Sequence, residues 1–427
     1  MDCSFRKTKS KNKGNEQVRF INYLAESKNT HMTHIEDLIL DGGVKGARQA
    51  ILALRSMRDM LSGNTKAPID VTVKWDGAPA VFAGVDPSDG QFFVAKKGIF
   101  AKNPKVYKNH DDIDADTSGD LNRKLKLAFD NLKNLGITDV IQGDFMFEKK
   151  DLKKEKINGI GHITFHPNTI VYAVPTGTPL AKEISKAEIG IVWHTSYSGG
   201  SFETMKAEFG RDIVPKLKKT SKVWMVDATL RDLSGTATLT SKDSLEISKK
   251  LSDAGKIFKK ISSTVLKEIE QNKELNLIIN VYNNRMVRKG QRINNTKKHA
   301  TGLVMFVNDR YAKEIEKRSS QKGKDVQISK RDELLKFFSK GNINTLKLVF
   351  DLQNLVIDSK LIIINKLNKL SKIDTFVKTK SGFKVTGVEG FVAIDRMEGG
   401  AVKLVDRMEF STNNFSKDII KGWDNPG

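Results

Sequence analysis

Lys74, Asp76 and Gly77 stand at the end of a β-branched run, Val71-Thr72-Val73, and ahead of a second apolar run that begins at Ala80. The pattern reads as a strand, a turn at Asp76-Gly77 and a returning strand. Period-2 alternation predicts that Lys74 and Asp76 share one side of the backbone. A lysine held in this way at the mouth of a pocket is a candidate amine nucleophile. Alone, the string describes a surface hairpin with an exposed lysine just as well. Three later segments bear on the choice. Ile141-Gln142-Gly143-Asp144-Phe145-Met146 sets a carboxylate beside an aromatic ring. Val388-Glu389-Gly390-Phe391-Val392 places a second carboxylate ahead of apolar residues, and Gly400-Ala401-Val402-Lys403-Leu404-Val405 embeds one lysine in a short apolar strand. Each is ordinary singly; their order and type carry the information.

That order resembles the covalent nucleotidyltransferase superfamily of ATP-dependent RNA and DNA ligases and mRNA capping enzymes. Lys74-Trp75-Asp76-Gly77 is similar to the family's nucleophile motif. Gly143-Asp144-Phe145 resembles its third motif, where Glu is usual and Asp a departure. Ile170-Val171-Tyr172-Ala173-Val174 loosely resembles the aromatic strand that follows, without the customary Asp. Glu389-Gly390-Phe391-Val392 matches the fourth motif. Val402-Lys403-Leu404-Val405 matches half of the fifth, whose second lysine is replaced by Val405. The resemblance covers residues 66–200 and 376–410.

It implies an α+β fold, a ligase-type core of antiparallel sheets with flanking helices. It also implies a reaction in which the Lys74 amine attacks the α-phosphate of ATP, with Mg²⁺ or Mn²⁺ as cofactor, and expels pyrophosphate. The implied catalytic residues are Lys74, Asp76, Glu389 and Lys403. Nucleotide contacts would come from Val73, Lys74, Gly77, Lys97, Asp144, Phe145, Tyr172, Glu389 and Lys403, with Tyr172 or Phe145 stacking on the base. Asp144 and Glu389, hard oxygen donors, would hold the metal, and Lys96 and Lys97 would meet phosphates of nucleotide or nucleic acid. About twenty residues follow Val405, too few for the OB-fold that DNA ligases and capping enzymes carry there. The expectation is therefore an RNA ligase that joins 5′-phosphate and 3′-hydroxyl ends. A DNA ligase, another lysine-nucleotidylating transferase and an inactive basic nucleic-acid binder stay open.

Charge points to a polyanionic partner. The chain carries a formal +22, and residues 201–380 hold 38 Lys+Arg against 20 Asp+Glu, a local +18. Such a field suits a phosphate backbone, RNA before DNA given the resemblance. Arg285, Arg288, Lys289, Arg292, Lys297 and Lys298 form the densest stretch; it reads equally as a solvated face. His162, His166 and His194 lie within 33 residues of one another and could suggest a metal, but His-x-x-x-His needs a helix to converge and Gly161 to Pro167 reads as strand and turn. They read as structural or surface histidines. No apolar run reaches a membrane span, the basic N-terminus lacks the apolar core of a secretory signal, and a lone Cys3 gives no disulfide framework. The expectation is a cytoplasmic protein with no obligate protein partner, a character compatible with a phage protein acting in its host.

The elements that must position these residues follow from periodicity. Residues 1–16 are expected to be a disordered basic tail and 17–65 a helical cap, with helices over Gln17–Ala25, from the capping box Thr33-His34-Ile35-Glu36, and over Val44–Leu61. Residues 66–200 and 376–412 form the expected core, with an acidic loop at 111–119. Residues 201–375 form a basic helical insertion, its first helix over 203–219, and 413–427 form a C-terminal tail. No solenoid repeat is visible.

Overall fold

The computed structural model describes residues 32–63, 69–230, 239–370, 373–395 and 401–424. The expected tail and the helix at Gln17–Ala25 lie outside those residues. Helices and antiparallel sheets are mixed, as α+β patterning requires.

A short helix, α1 (Leu38–Asp41), runs into α2 (Gly43–Leu61). Gly46 permits their close approach, since a Cβ there would lie 1.9 Å from the Leu38 carbonyl oxygen. Strands β1 (Ile69–Lys74), β2 (Ala80–Val85) and β3 (Phe92–Ala95) follow, then α3 (His110–Asp116) and α4 (Gly119–Leu132). Next come β4 (Val140–Glu148), β5 (Lys153–Ile157), β6 (Ile160–Phe165), β7 (Ile170–Pro175), α5 (Pro179–Lys186) and β8 (Ile189–Ser198). Short strands β9 (Lys206–Phe209), β10 (Val223–Asp227) and β11 (Thr229–Leu230) precede six helices. These are α6 (Ser241–Phe258), α7 (Ser263–Gln271), α8 (Lys273–Arg288), α9 (Thr296–Glu316), α10 (Gln321–Phe337) and α11 (Ile343–Leu367). The chain then returns to β12 (Asp374–Thr379), β13 (Gly382–Val385), β14 (Gly390–Asp395) and β15 (Ala401–Leu404), ending in α12 (Arg407–Phe415) and β16 (Ile419–Ile420).

Three sheets result. The first has the order β11-β1-β14-β15; the second β10-β8-β4-β2-β3, with β9 also on β8; the third β13-β12-β7-β6-β5, with β16 on β12. Only β8 and β10 pair in parallel among the described strands. Alternation along the first sheet decides what faces what. Val71, Phe391, Ala393 and Leu404 point back into one large apolar core shared with α2 and α6–α11. Thr72, Lys74, Val392 and Lys403 point the other way, into a cleft. In the second sheet Ile141 and Phe145 pack beneath α4 with Leu125, Ala128 and Leu132, whereas Gln142 and Asp144 face the same cleft.

Four expectations are corrected. Residues 203–219 are not helical: Lys206–Phe209 joins β8 as β9, and Pro215, which cannot donate a helical hydrogen bond, sits in a single 3₁₀ turn. Helices therefore begin at Ser241. Residues 111–119 include α3, whose N-cap Asn109 accepts from the Asp112 amide and whose first turn carries Asp111 and Asp112, the charge sign a helix N-terminus favours. Thr33-His34-Ile35-Glu36 opens no helix directly, because the Thr33 carbonyl and Ile35 amide are engaged by Lys403. The C-terminal residues 413–424 are ordered: β16 pairs with β12, and Gly422 sits so tightly on His166 that a Cβ would lie 2.0 Å from its carbonyl oxygen.

Candidate functional site

β1 delivers Lys74 to the cleft floor. Its antiparallel partner across the ladder is Gly390, so Glu389, one residue outside β14, is brought onto the Lys74 ammonium and forms an ion pair with it. Gly390 is fixed by geometry, with φ +157 and room for no side chain: a Cβ would lie 2.7 Å from the Leu404 carbonyl oxygen. β15 then places Lys403 opposite Val392 on the face that Lys74 shares. Burial and the charges of Lys74 and Lys97 hold the Lys403 ammonium below its ordinary pKa, against the pull of Glu389.

The opposite wall comes from the second sheet. The turn after β1 is clamped on β4 by two backbone hydrogen bonds, Ala78 N to Phe145 O and Phe145 N to Pro79 O, each 3.0 Å. Gly77 therefore lies against Asp144; a Cβ there would be 2.6 Å from the Asp144 Cβ. Asp144 keeps about a fifth of its side chain open to the cleft, 21 %. Burial lifts its pKa to about 7, with Glu389 and Asp76 adding repulsion and Lys74 opposing. His194 lines the wall beside it, Nε2 3.9 Å from Asp144 Oδ1 and Nδ1 2.7 Å from Thr195 Oγ1. Burial and the Lys74 charge pull the imidazole down to about 4, so it is neutral at physiological pH. Gln142 sits deeper, its carbonyl oxygen accepting from the Tyr197 hydroxyl at 2.7 Å. The whole cleft has a volume of about 890 Å³, and Val73, Gly77, Lys96 and Lys97 are also on its walls. It is large enough for a nucleotide-sized ligand.

Three expected roles are corrected. Asp76 does not share the cleft with Lys74, because the strand ends at Lys74 and the chain bends. The Asp76 carboxylate instead accepts from the amides of Thr169 and Ile170 at 2.7 and 2.9 Å and from Asn168 Nδ2 at 2.7 Å, stapling the turn to the start of β7. Burial and the nearby Glu389 raise it to about 6. Tyr172 is buried; its hydroxyl accepts from the Asp76 amide at 2.7 Å, and its ring stacks between Trp75 and Phe165. Phe145 is fully buried under α4. Neither ring is available to a base. The aromatic residues on the cleft walls are Trp75, Tyr197 and Phe209; Trp75 stands inside the nucleophile motif without having been assigned a role, and no motif announced Tyr197 or Phe209.

Among the described residues no three His, Cys, Asp or Glu side chains converge as a metal set. His162 bonds the Ile160 carbonyl and His166 the Thr169 carbonyl, both on the third sheet and apart from His194. Asp144 and Glu389 flank Lys74, and two carboxylates completed by phosphate oxygens and water are a donor set that Mg²⁺ accepts. Lys96 is turned towards Asp116, 2.8 Å away. The basic stretch occupies the end of α8, the following loop and the start of α9, and all six residues are exposed. Arg292 pairs with Asp358 at 2.6 Å and Arg285 lies over the Phe306 ring. No helix among the described residues is long and apolar enough to cross a membrane.

A family model matches residues 29–419, and the chain belongs to that family, described as a family of unknown function, DUF6267. No curated protein and no solved structure matches the chain.

Proposed function

We propose that this family member is an ATP-dependent polynucleotide ligase, with RNA as its substrate, that works through a nucleotidyl group carried on Lys74. One observation carries the reading: Lys74, Asp144 and Lys403, supplied by β1, β4 and β15, line one cleft sized for a nucleoside triphosphate, and Glu389, just ahead of β14, is ion-paired to the Lys74 ammonium. Two amines and a carboxylate from three strands on one open cavity, with a second carboxylate on the nucleophile, are a cluster of the kind that active sites collect.

In the first step the Lys74 amine attacks the α-phosphate. A P–N bond forms, the P–O bond to pyrophosphate breaks, and the ammonium proton must leave first. Glu389, already in contact with that ammonium, is the acceptor. Lys403, on the same face, faces the negative charge that builds on the phosphoryl oxygens. A divalent metal held by Asp144 and Glu389 would supply further charge neutralisation there. The adenylyl group then passes to a 5′-phosphate end, and a 3′-hydroxyl displaces AMP to join the strands. The local +18 of residues 201–380 supports a polyanionic acceptor.

Incubation with α-labelled ATP and Mg²⁺ should label the wild-type chain and leave Lys74→Ala blank; transfer to 5′-phosphorylated RNA should then be faster than to nicked DNA. An unlabelled wild type refutes the proposal. One observation favours a second reading, an inactive nucleic-acid binder. Val405, where the resemblance would place a second lysine, is buried against Gly390, so that position offers no amine. This reading expects salt-sensitive RNA binding without any label.

A further inference from the structure

Lys403 is gripped from both sides. β14 pairs along one edge of β15. Along the other edge the Lys403 amide donates to the Thr33 carbonyl at 2.9 Å, and the Ile35 amide donates to the Lys403 carbonyl at 3.1 Å. The residue after Ile35 is Glu36, only 2 % exposed, and its carboxylate meets Lys360 Nζ, 1 % exposed, at 2.7 Å. Gln353, two turns earlier on α11, donates to the Glu36 carbonyl at 3.2 Å. Arg407, four residues after Lys403, reaches Asp37 at 3.0 Å and Glu36 at 3.7 Å. Residues 33–37 are thus pinned to the helical body at one end and to the cleft sheet at the other.

Stability does not explain this pair. Apart from the polar groups just named and His34, its surroundings are apolar, with Ile35, Ile39, Val356 and Ile363 fully buried in the same core. Replacing a buried ion pair by apolar residues of similar volume is often neutral or stabilising. What the pair adds is register. Sliding residues 33–35 by one position along β15 would withdraw Glu36 from Lys360 and leave two unpaired buried charges, and a one-residue slip turns every strand side chain to the other face.

We propose that the Glu36–Lys360 ion pair is a positioning device for Lys403: through residues 33–35 it fixes the register of β15, making the helical body part of the site that reacts rather than an appended binding module. The catalytic half of this claim rests on the reading of the cleft as a nucleotidyl-transfer site; the register half does not.

The test uses the full chain and two double variants. Glu36→Gln/Lys360→Met removes the pair while keeping volume. Lys250→Met/Asp358→Asn removes a different pair, 3.2 Å apart, which ties α6 to α11 two residues from Lys360. Thermal unfolding first establishes that both variants fold; if the first does not, Glu36→Gln/Lys360→Gln, which removes both charges and leaves no ion unpaired, replaces it. Amide exchange over residues 401–405 should then be at least about tenfold faster in the Glu36 variant and unchanged in the control. The rate of Lys74 labelling at saturating ATP should fall about tenfold in the Glu36 variant alone, with a smaller change in KM, as misplacement of a reacting group does. Unchanged exchange at 401–405, or equal losses in both variants, overturns the proposal. Faster exchange in a protein whose wild type takes no label upholds the register device and refutes the ligase reading.

Discussion

Two lysine–glutamate pairs in this protein use the same chemistry in opposite surroundings. Lys74 lines the cleft and Glu389 meets it from behind that lining, with 28 % and 12 % of their side chains exposed; Lys360 and Glu36 lie inside the helical body with almost none. In the cleft, water and neighbouring charges of both signs share the field, so either partner can be lost or diverted at small cost to the fold. In the helical core there is almost no water to solvate the survivor, and for Glu36 the remaining cation, Arg407, stands further off at 3.7 Å. An accessible pair can do chemistry because its breaking is cheap, whereas a buried one can only hold geometry because its breaking is not.

The sharpest way to break that comparison is to delete each lysine. Lys360→Ala strands the Glu36 carboxylate and should cost about 3–5 kcal/mol in urea unfolding. Lys74→Ala should change stability by no more than about 1 kcal/mol while abolishing label transfer. Equal destabilisation by the two would remove the distinction between them.

Asp144 sharpens it next, because it lines the same cleft as Lys74 and yet its charge is disfavoured by burial. Its pKa, raised to about 7, means that the folded protein favours the protonated carboxyl. That stabilisation is complete below the ordinary carboxylate range and is lost as the pH rises through about 7. Asp144→Asn removes the loss. Its melting temperature should exceed that of the wild type by about 2–4 °C at pH 8, the gap closing towards pH 4, even as labelling falls. A site residue whose replacement stabilises the fold is the mark of a group kept for function.

A third and smaller effect concerns Tyr172. As a buried hydroxyl that accepts from the Asp76 amide, its loss in Tyr172→Phe should cost about 1–3 kcal/mol and leave the KM for ATP within about twofold. A tenfold rise in KM would return the ring to the base-stacking role that the sequence suggested.

Those outcomes also measure how far the chain could be read in advance. Lys74, Glu389 and Lys403 can be picked out because each ends or interrupts an apolar strand, and the ladder β1-β14-β15 turns that order into proximity. Tyr172 and Phe145 mislead because alternation gives a face but not what covers it: α4 covers one ring, and Trp75 with Phe165 the other. Asp76 misleads because the strand stops at Lys74, two residues too soon for the alternation to reach it. Residues 203–219 carry helix-like spacing, yet Pro215 and pairing with β8 override a weak propensity. The Glu36–Lys360 pair is invisible in sequence. Its partners are 324 residues apart, and a Glu and a Lys are the residues least expected in a core.

The smallest effect separates the helical body's two faces. Its inner face holds the Lys360 pair, while its outer face shows Lys297 and Lys298 to solvent at the first turn of α9. If that outer face tracks a phosphate backbone, each lysine that meets a phosphate contributes about 0.7 to the slope of log affinity against log salt for a single strand. Lys297→Gln/Lys298→Gln should therefore lower the slope by up to about 1.4, weaken RNA binding at low salt uniformly across sequences, and leave the labelling of Lys74 by ATP alone untouched. A pair of variants that lowers labelling without altering the salt slope would mean that the outer face acts on the cleft directly, and the division between a face that holds geometry and a face that meets the partner would have to be redrawn.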